Sequence, residues 1–275
     1  MIYVFVPLYA EAAGLITQAG LVPAKSVGSL RCFAGNEIFL TVTGTGMSAM
    51  ASATAAVLAV QGAGNGDIAV LYGSAAGLDK AEMGDLYRGG RVHDIISQRD
   101  SYPDLLTKTE IPVAYILSQD RIYDGHQELP EHLSLPLLYD MESSAFMQSC
   151  MLFLRVEQVC VLRFVSDDGS NIHPDVSLQD LSMRNADAVL QYMQDMATRV
   201  KPEMYVGMDL SSLVNDIHAS NAMARRLEQI VHYCQCAGIR WQNVTDVLYE
   251  NGILPCCDRQ KGKKVLDEIE KKLCR

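Results

Sequence analysis

Over its first two hundred residues the chain alternates between short apolar runs and longer stretches with helical spacing. The runs are IYVFVP (2–7), EIFLTVT (37–43), DIAVLYG (67–73), PVAYIL (112–117) and QVCVLRFVS (158–166). Each is rich in β-branched residues and apolar at consecutive positions, as a strand covered on both faces requires. Between them, MSAMASATAAVLAVQ (47–61) offers small side chains for close packing on a sheet. The stretches 141–155 and 177–200 repeat apolar residues at helical spacing. Such alternation commits a chain to an α/β architecture with a largely parallel sheet.

Lys201-Pro202 ends the alternation, and 205–275 reads as almost all helix, punctuated by Gly238, Gly252 and Pro255. The expected division is a domain at 1–203 and a helical extension at 204–275. With 49% apolar and 20% charged residues, the 275-residue chain can build a full core and is not disordered. Its apolar stretches are too short to span a membrane, and its first residues have no basic segment or cleavage site of a signal peptide. Eight scattered cysteines read as reduced thiols, so a cytoplasmic location is expected. A net charge of −10 argues against binding to a phosphate backbone, so no nucleic acid or membrane partner is expected.

Gly44-Thr45-Gly46 closes one strand and opens a helix, a turn whose N–H groups can hold an anion or hydroxyls. With Ala49 it approaches the dinucleotide fingerprint. The acidic residue that should end the next strand is missing, because Asp67 begins that strand and Gly73 ends it. A second small-residue turn, Tyr72 to Gly77, also follows a strand, and two such turns at strand carboxyl ends define a crevice. Three acids lie beside strand ends: Glu11, Glu142 and Asp167. Singly, each fits a helix cap. Together along one edge of a sheet they form a candidate site.

The ordered motifs AEAAGLI (10–16), TGTGMSA (43–49), YGSAAGL (72–78), MGDL (83–86), SQDRIYDG (118–125), DMESSAF (140–146) and RFVSDD (163–168) resemble the purine nucleoside phosphorylase and uridine phosphorylase superfamily. The match is closer to its hydrolytic branch, the methylthioadenosine/S-adenosylhomocysteine nucleosidases. The resemblance implies a three-layer αβα sandwich around a twisted mixed sheet. It also implies cleavage of an N-glycosidic bond through a ribosyl cation-like state. Asp167, beside the like charge of Asp168, would then share a proton with the purine N7. Glu11 would hold and deprotonate the attacking water. Glu142 would accept the ribose hydroxyls, with Met141 packing on the sugar. Gly46, Ser74, Ala75 and Ser166 would line the site, and Tyr123 or the neighbouring Ile122 would stack on the base. No cofactor or metal is implied, and the expected assembly is a homodimer or higher homo-oligomer.

Superfamily members use water or phosphate. The phosphorylases place an Arg just before the G-S turn, where this chain has Tyr72, so hydrolysis is the expected reaction. Phosphorolysis, through Arg31 or Arg88, is the alternative. His93, His126 and His173 are candidates for a polar 5′ contact, whereas the 13 methionines suit an apolar 5′ group. A non-catalytic nucleoside sensor is the other class. It would be favoured if Glu11 were a cap facing solvent. In the extension, His232, Cys234, Cys236, Cys256 and Cys257 are candidate ligands for a structural zinc, but their C-x-C and C-C spacing is not the paired C-x-x-C, so the cysteines are expected to be reduced thiols on packed helices. The basic run 259–264 is expected to be a solvated face.

Overall fold

A computed structural model describes residues 1–126, 129–130, 134–169, 177–200 and 210–273, apart from the side chains of Arg225, His232, Gln235 and Cys236. It divides into two units, Met1–Glu203 and Met204–Arg275. His173 lies outside the described residues.

The expected apolar runs become strands of one mixed sheet. In chain order the first unit comprises β1 (Ile2–Val6), α1 (Tyr9–Gln18), β2 (Val22–Pro23), β3 (Arg31–Gly35), β4 (Ile38–Val42), α2 (Met47–Gln61) and β5 (Ile68–Asp79). There follow β6 (Leu86–Asp94), β7 (Arg99–Ser101), β8 (Val113–Ser118), β9 (Leu137–Asp140), α3 (Ser143–Cys150), β10 (Val159–Asp167) and α4 (Leu178–Arg199). The strand order is β10-β6-β8-β9-β5-β1-β4-β3-β2, with β7 on β6 and a further β10–β5 pairing. β5 makes this possible by its length: its first half pairs parallel with β1, its second half antiparallel with β9, and β10 runs parallel beside it.

Alternation along β1 shows why the strand had to be apolar throughout. Ile2, Val4 and Val6 pack with residues of α1 and α4, including Leu15, Val189 and Met193. Tyr3 and Phe5 face the other way, into a cluster with Met50 and Val57 of α2 and Phe146 of α3. Helices on both faces complete the αβα sandwich around a twisted mixed sheet.

The second unit has α5 (Ser211–Asp216), α6 (Asn221–Cys236), α7 (Gln242–Glu250) and α8 (Arg259–Leu273). Leu213, Ile217, Leu227, Ile230, Leu248, Leu266 and Ile269 form its own core. Cys234 and Cys256 are buried in that core and Cys257 is exposed. Among the described residues no three metal-ligating side chains gather. None of the described helices is long and apolar enough to cross a membrane.

Candidate functional site

The candidate site is built from the loops after β1 and β4, from Gly73 and Ser74 inside β5, from Arg163 inside β10 and from the end of β9; the stretch 72–77, expected to be a turn, is part of the continuous strand β5. Glu11 sits in the first turn of α1 yet is only 1% exposed. Its Oε2 accepts the Leu8 N–H at 2.9 Å, and its Oε1 accepts the Ser74 N–H at 2.8 Å and the Ser74 hydroxyl at 2.5 Å. Glu11 thus closes its own helix end and also reaches across to β5. Burial pushes its carboxyl above the usual range, opposed by the Ser74 hydrogen bonds and the Arg163 charge.

Glu142 precedes α3 and is buried. Its Oε1 accepts the Gly46 N–H at 2.8 Å, and Arg163 Nη2 donates to its Oε2 at 3.1 Å. Burial raises its pKa to about 7; Asp140 and Glu11 add to the rise, while Arg163 and the Gly46 N–H oppose it. Gly46 has φ 93°, and a Cβ there would come within 2.7 Å of Asp120 Oδ1. Only glycine both adopts that backbone and leaves its N–H facing the carboxylate.

Arg163 lies inside β10 with no exposed surface. Asp140, the last residue of β9, receives its Nε at 2.8 Å and its Nη2 at 2.6 Å, both on Oδ2. The remaining nitrogen, Nη1, is buried without a hydrogen-bond partner. A Cβ placed on Gly73 would be 2.7 Å from this Nη1 and 3.1 Å from Glu11 Oε2. A donor and a carboxylate oxygen therefore converge beside Gly73, where a side chain would block them.

At the end of β10 the register against β5 slips between Val165 and Asp167, leaving Ser166 without an opposite residue. Ser166 Oγ donates to Asp167 Oδ2 at 2.7 Å, and the Gly169 N–H donates to Oδ1 at 3.0 Å. The Tyr123 ring lies against this loop: a Cβ on Gly169 would be 2.7 Å from its Cδ1. Tyr123 also meets the Tyr139 ring edge-on at 5.2 Å. Ile122 is 72% exposed. Ala75 is buried, and Ser74 and Met141 are half-buried.

Tyr72 is fully buried; its ring packs on Phe164 at 5.5 Å, and its hydroxyl reaches the Ser182 carbonyl of α4 at 3.5 Å. Arg31 lies over the Tyr9 ring at 4.4 Å, and Arg88 donates to the Thr107 carbonyl at 3.0 Å. His93 Nδ1 is 3.0 Å from Asp100 on β7, and His126 is exposed. A groove of about 420 Å³ opens between α2 and α3, lined by Met47, Asp94, Ser144, Gln148 and Leu152 among others.

Sequence reasoning picked out the acids but assigned no role to Asp140 or Arg163. The signal was present: a lone arginine in the apolar run QVCVLRFVS has to be paired when both faces of its strand are covered.

No protein-family model and no curated protein matches the chain. Solved structures do. The methylthioadenosine/S-adenosylhomocysteine nucleosidase of S. pneumoniae, with a transition-state inhibitor, superposes with a TM-score of 0.59 at 17% identity, covering 71% of this chain and 99% of that one. The Helicobacter pylori nucleosidase bound to butyl-thio-DADMe-Immucillin-A gives 0.58 at 13% identity, covering 72% and 97%. Futalosine hydrolase from Helicobacter pylori gives 0.58 at 14%, covering 72% and 97%. At such identities the likeness is one of fold, and the chain shares the fold of these nucleosidases and of futalosine hydrolase.

Proposed function

We propose that the chain hydrolyses the N-glycosidic bond of a purine nucleoside, with 5′-modified adenine nucleosides such as methylthioadenosine or S-adenosylhomocysteine as its substrate class. The observation that carries this reading is that Glu11 Oε2 and Arg163 Nη1, the latter buried without a hydrogen-bond partner, both lie close to Gly73. A water bridging the two would meet one group that takes its proton and one that orients its lone pair. Water oxygen bonds to C1′ as the C1′–N9 bond breaks. Glu11 takes the water proton, and Asp167 gives its own to N7, so the base leaves neutral and the sugar leaves with a free anomeric hydroxyl. Glu142 accepts the ribose hydroxyls, Met141 covers the sugar, and Tyr123 supplies a ring for the base beside Asp167. Gly46, Ser74, Ala75 and Ser166 shape the walls.

Water is favoured over phosphate by charge. Glu11, Asp140 and Glu142 surround a single guanidinium, so a phosphate dianion would enter a field already negative. Tyr72 is spent on packing and on the Ser182 carbonyl, which leaves it no hydroxyl for an oxyanion. The same reading carries a cytoplasmic location and a homo-oligomeric assembly. The test is incubation with a panel of nucleosides, with and without phosphate, reading free base and sugar. Free base with ribose in phosphate-free buffer is the expected result. Ribose 1-phosphate would make it a phosphorylase, and binding without release of base would make it a sensor.

A further inference from the structure

Both oxygens of the buried Asp140 carboxylate are engaged. Oδ2 takes Nε and Nη2 of Arg163, together with the Ser143 hydroxyl. Oδ1 faces the backbone N–H groups of Ser143 at 3.2 Å and Glu142 at 3.4 Å. One carboxylate thus ties the start of α3 to the middle of β10. A guanidinium is a planar fork, so fixing Nε and Nη2 on one oxygen fixes the direction of Nη1 as well. That direction is toward Gly73, near which Glu11 Oε2 also lies.

We infer that Asp140 is a positioning residue for the attacking water: by holding the Nε–Nη2 edge of Arg163 it leaves Nη1 as a single donor aimed at the nucleophile. The inference rests on the hydrolytic reading of the site. Without the Asp140 charge the guanidinium is left with Glu142 as its one bonded carboxylate and turns toward it. Glu11 then holds water with no fixed donor opposite, and the attack geometry loosens. Asp140 also contributes to the charge balance around Glu142, which faces Glu11 from α1, Arg163 from β10 and the Gly46 N–H from the turn before α2.

The test uses Asp140→Asn in the full chain. Asparagine keeps a carbonyl oxygen for the α3 backbone and loses the charged acceptor. The expected result is a fall in kcat of at least tenfold with KM within threefold of wild type. The limb of the pH–KM profile that reports Glu142 also moves to lower pH, because a neighbouring negative charge has gone. A merely structural residue would lower the melting temperature while the folded protein kept its wild-type kcat. A folded Asp140→Asn protein with wild-type kcat overturns the inference, whether or not the limb moves. Should the variant not fold, Ser143→Ala decides: it frees one bond to Oδ2, and a several-fold loss of kcat at constant KM supports the inference, while wild-type kcat overturns it. A wild-type chain that releases no base overturns the functional reading itself, whereas equal turnover by wild type and Asp140→Asn overturns this inference alone.

Discussion

Asp167 and Glu142 have different surroundings, and under the proposed reading their substitutions should fail in different ways. Asp167→Asn keeps the Ser166 and Gly169 contacts within reach but has no proton of a carboxylic acid to give the base. Turnover should fall on the order of 10²–10⁴-fold while adenine still binds, measured by initial rates and by calorimetric titration of the base. Near-wild-type turnover would remove Asp167 from the chemistry. Glu142 has a pKa raised from an ordinary value of 4.5 to about 7. The folded state therefore holds its proton more tightly than the unfolded chain does. That stabilisation is complete below about pH 4.5 and is lost as pH rises through about 7. Glu142→Gln cannot titrate, so its melting temperature should drop less than that of the wild type between pH 5 and pH 8. Equal slopes in thermal melts across that window would contradict the raised value. The same variant should bind nucleosides much more weakly, since the neutral amide presents one acceptor to the sugar hydroxyls in place of two.

At the scale of elements, α1 carries Glu11 and packs on α4 through Gly14, where a Cβ would come within 2.3 Å of the Ser182 carbonyl. The Gly14 N–H also donates to Ser182 Oγ at 3.0 Å. Gly14→Ala must push the helices apart. The expected cost is about 1–3 kcal/mol, seen as a lower denaturation midpoint, together with reduced turnover because Glu11 moves with α1. An unshifted midpoint would mean that the contact yields without strain. Elements also mark how far the sequence could be read. β1, β4, β5, β8 and β10 are legible because both faces of each strand are covered, and this writes an unbroken apolar run. β6 (LYRGGRVHD) was not legible, because its charges and glycines contradict that pattern. Its glycines are needed all the same: a Cβ on Gly90 would come within 2.3 Å of Val113 on β8. β9 is only four residues long and hides in the approach to the DMESSAF motif. The acids were legible by position after strands, whereas Asp140 and Arg163 lie within strands, where pairing across the sheet cannot be read from spacing.

For the whole molecule, the two units keep separate cores. The clusters built on the sheet draw only on residues up to Val200, and the cluster of α5 to α8 draws only on residues from Leu210 onward. Each should unfold as its own cooperative transition, so calorimetry of the full chain should resolve two transitions. A chain cut to 1–203 should keep a melting transition and its turnover. A single transition lost on truncation would show that the units depend on each other. The pairing of β10 with both β5 and β6 has a consequence for solubility as well. Because that pairing bends five strands into a closed ring, a ten-stranded sheet is left with terminal strands of only two residues (β2) and three residues (β7). Among the described strands, short edges of this kind offer a stray polypeptide little length on which to add itself.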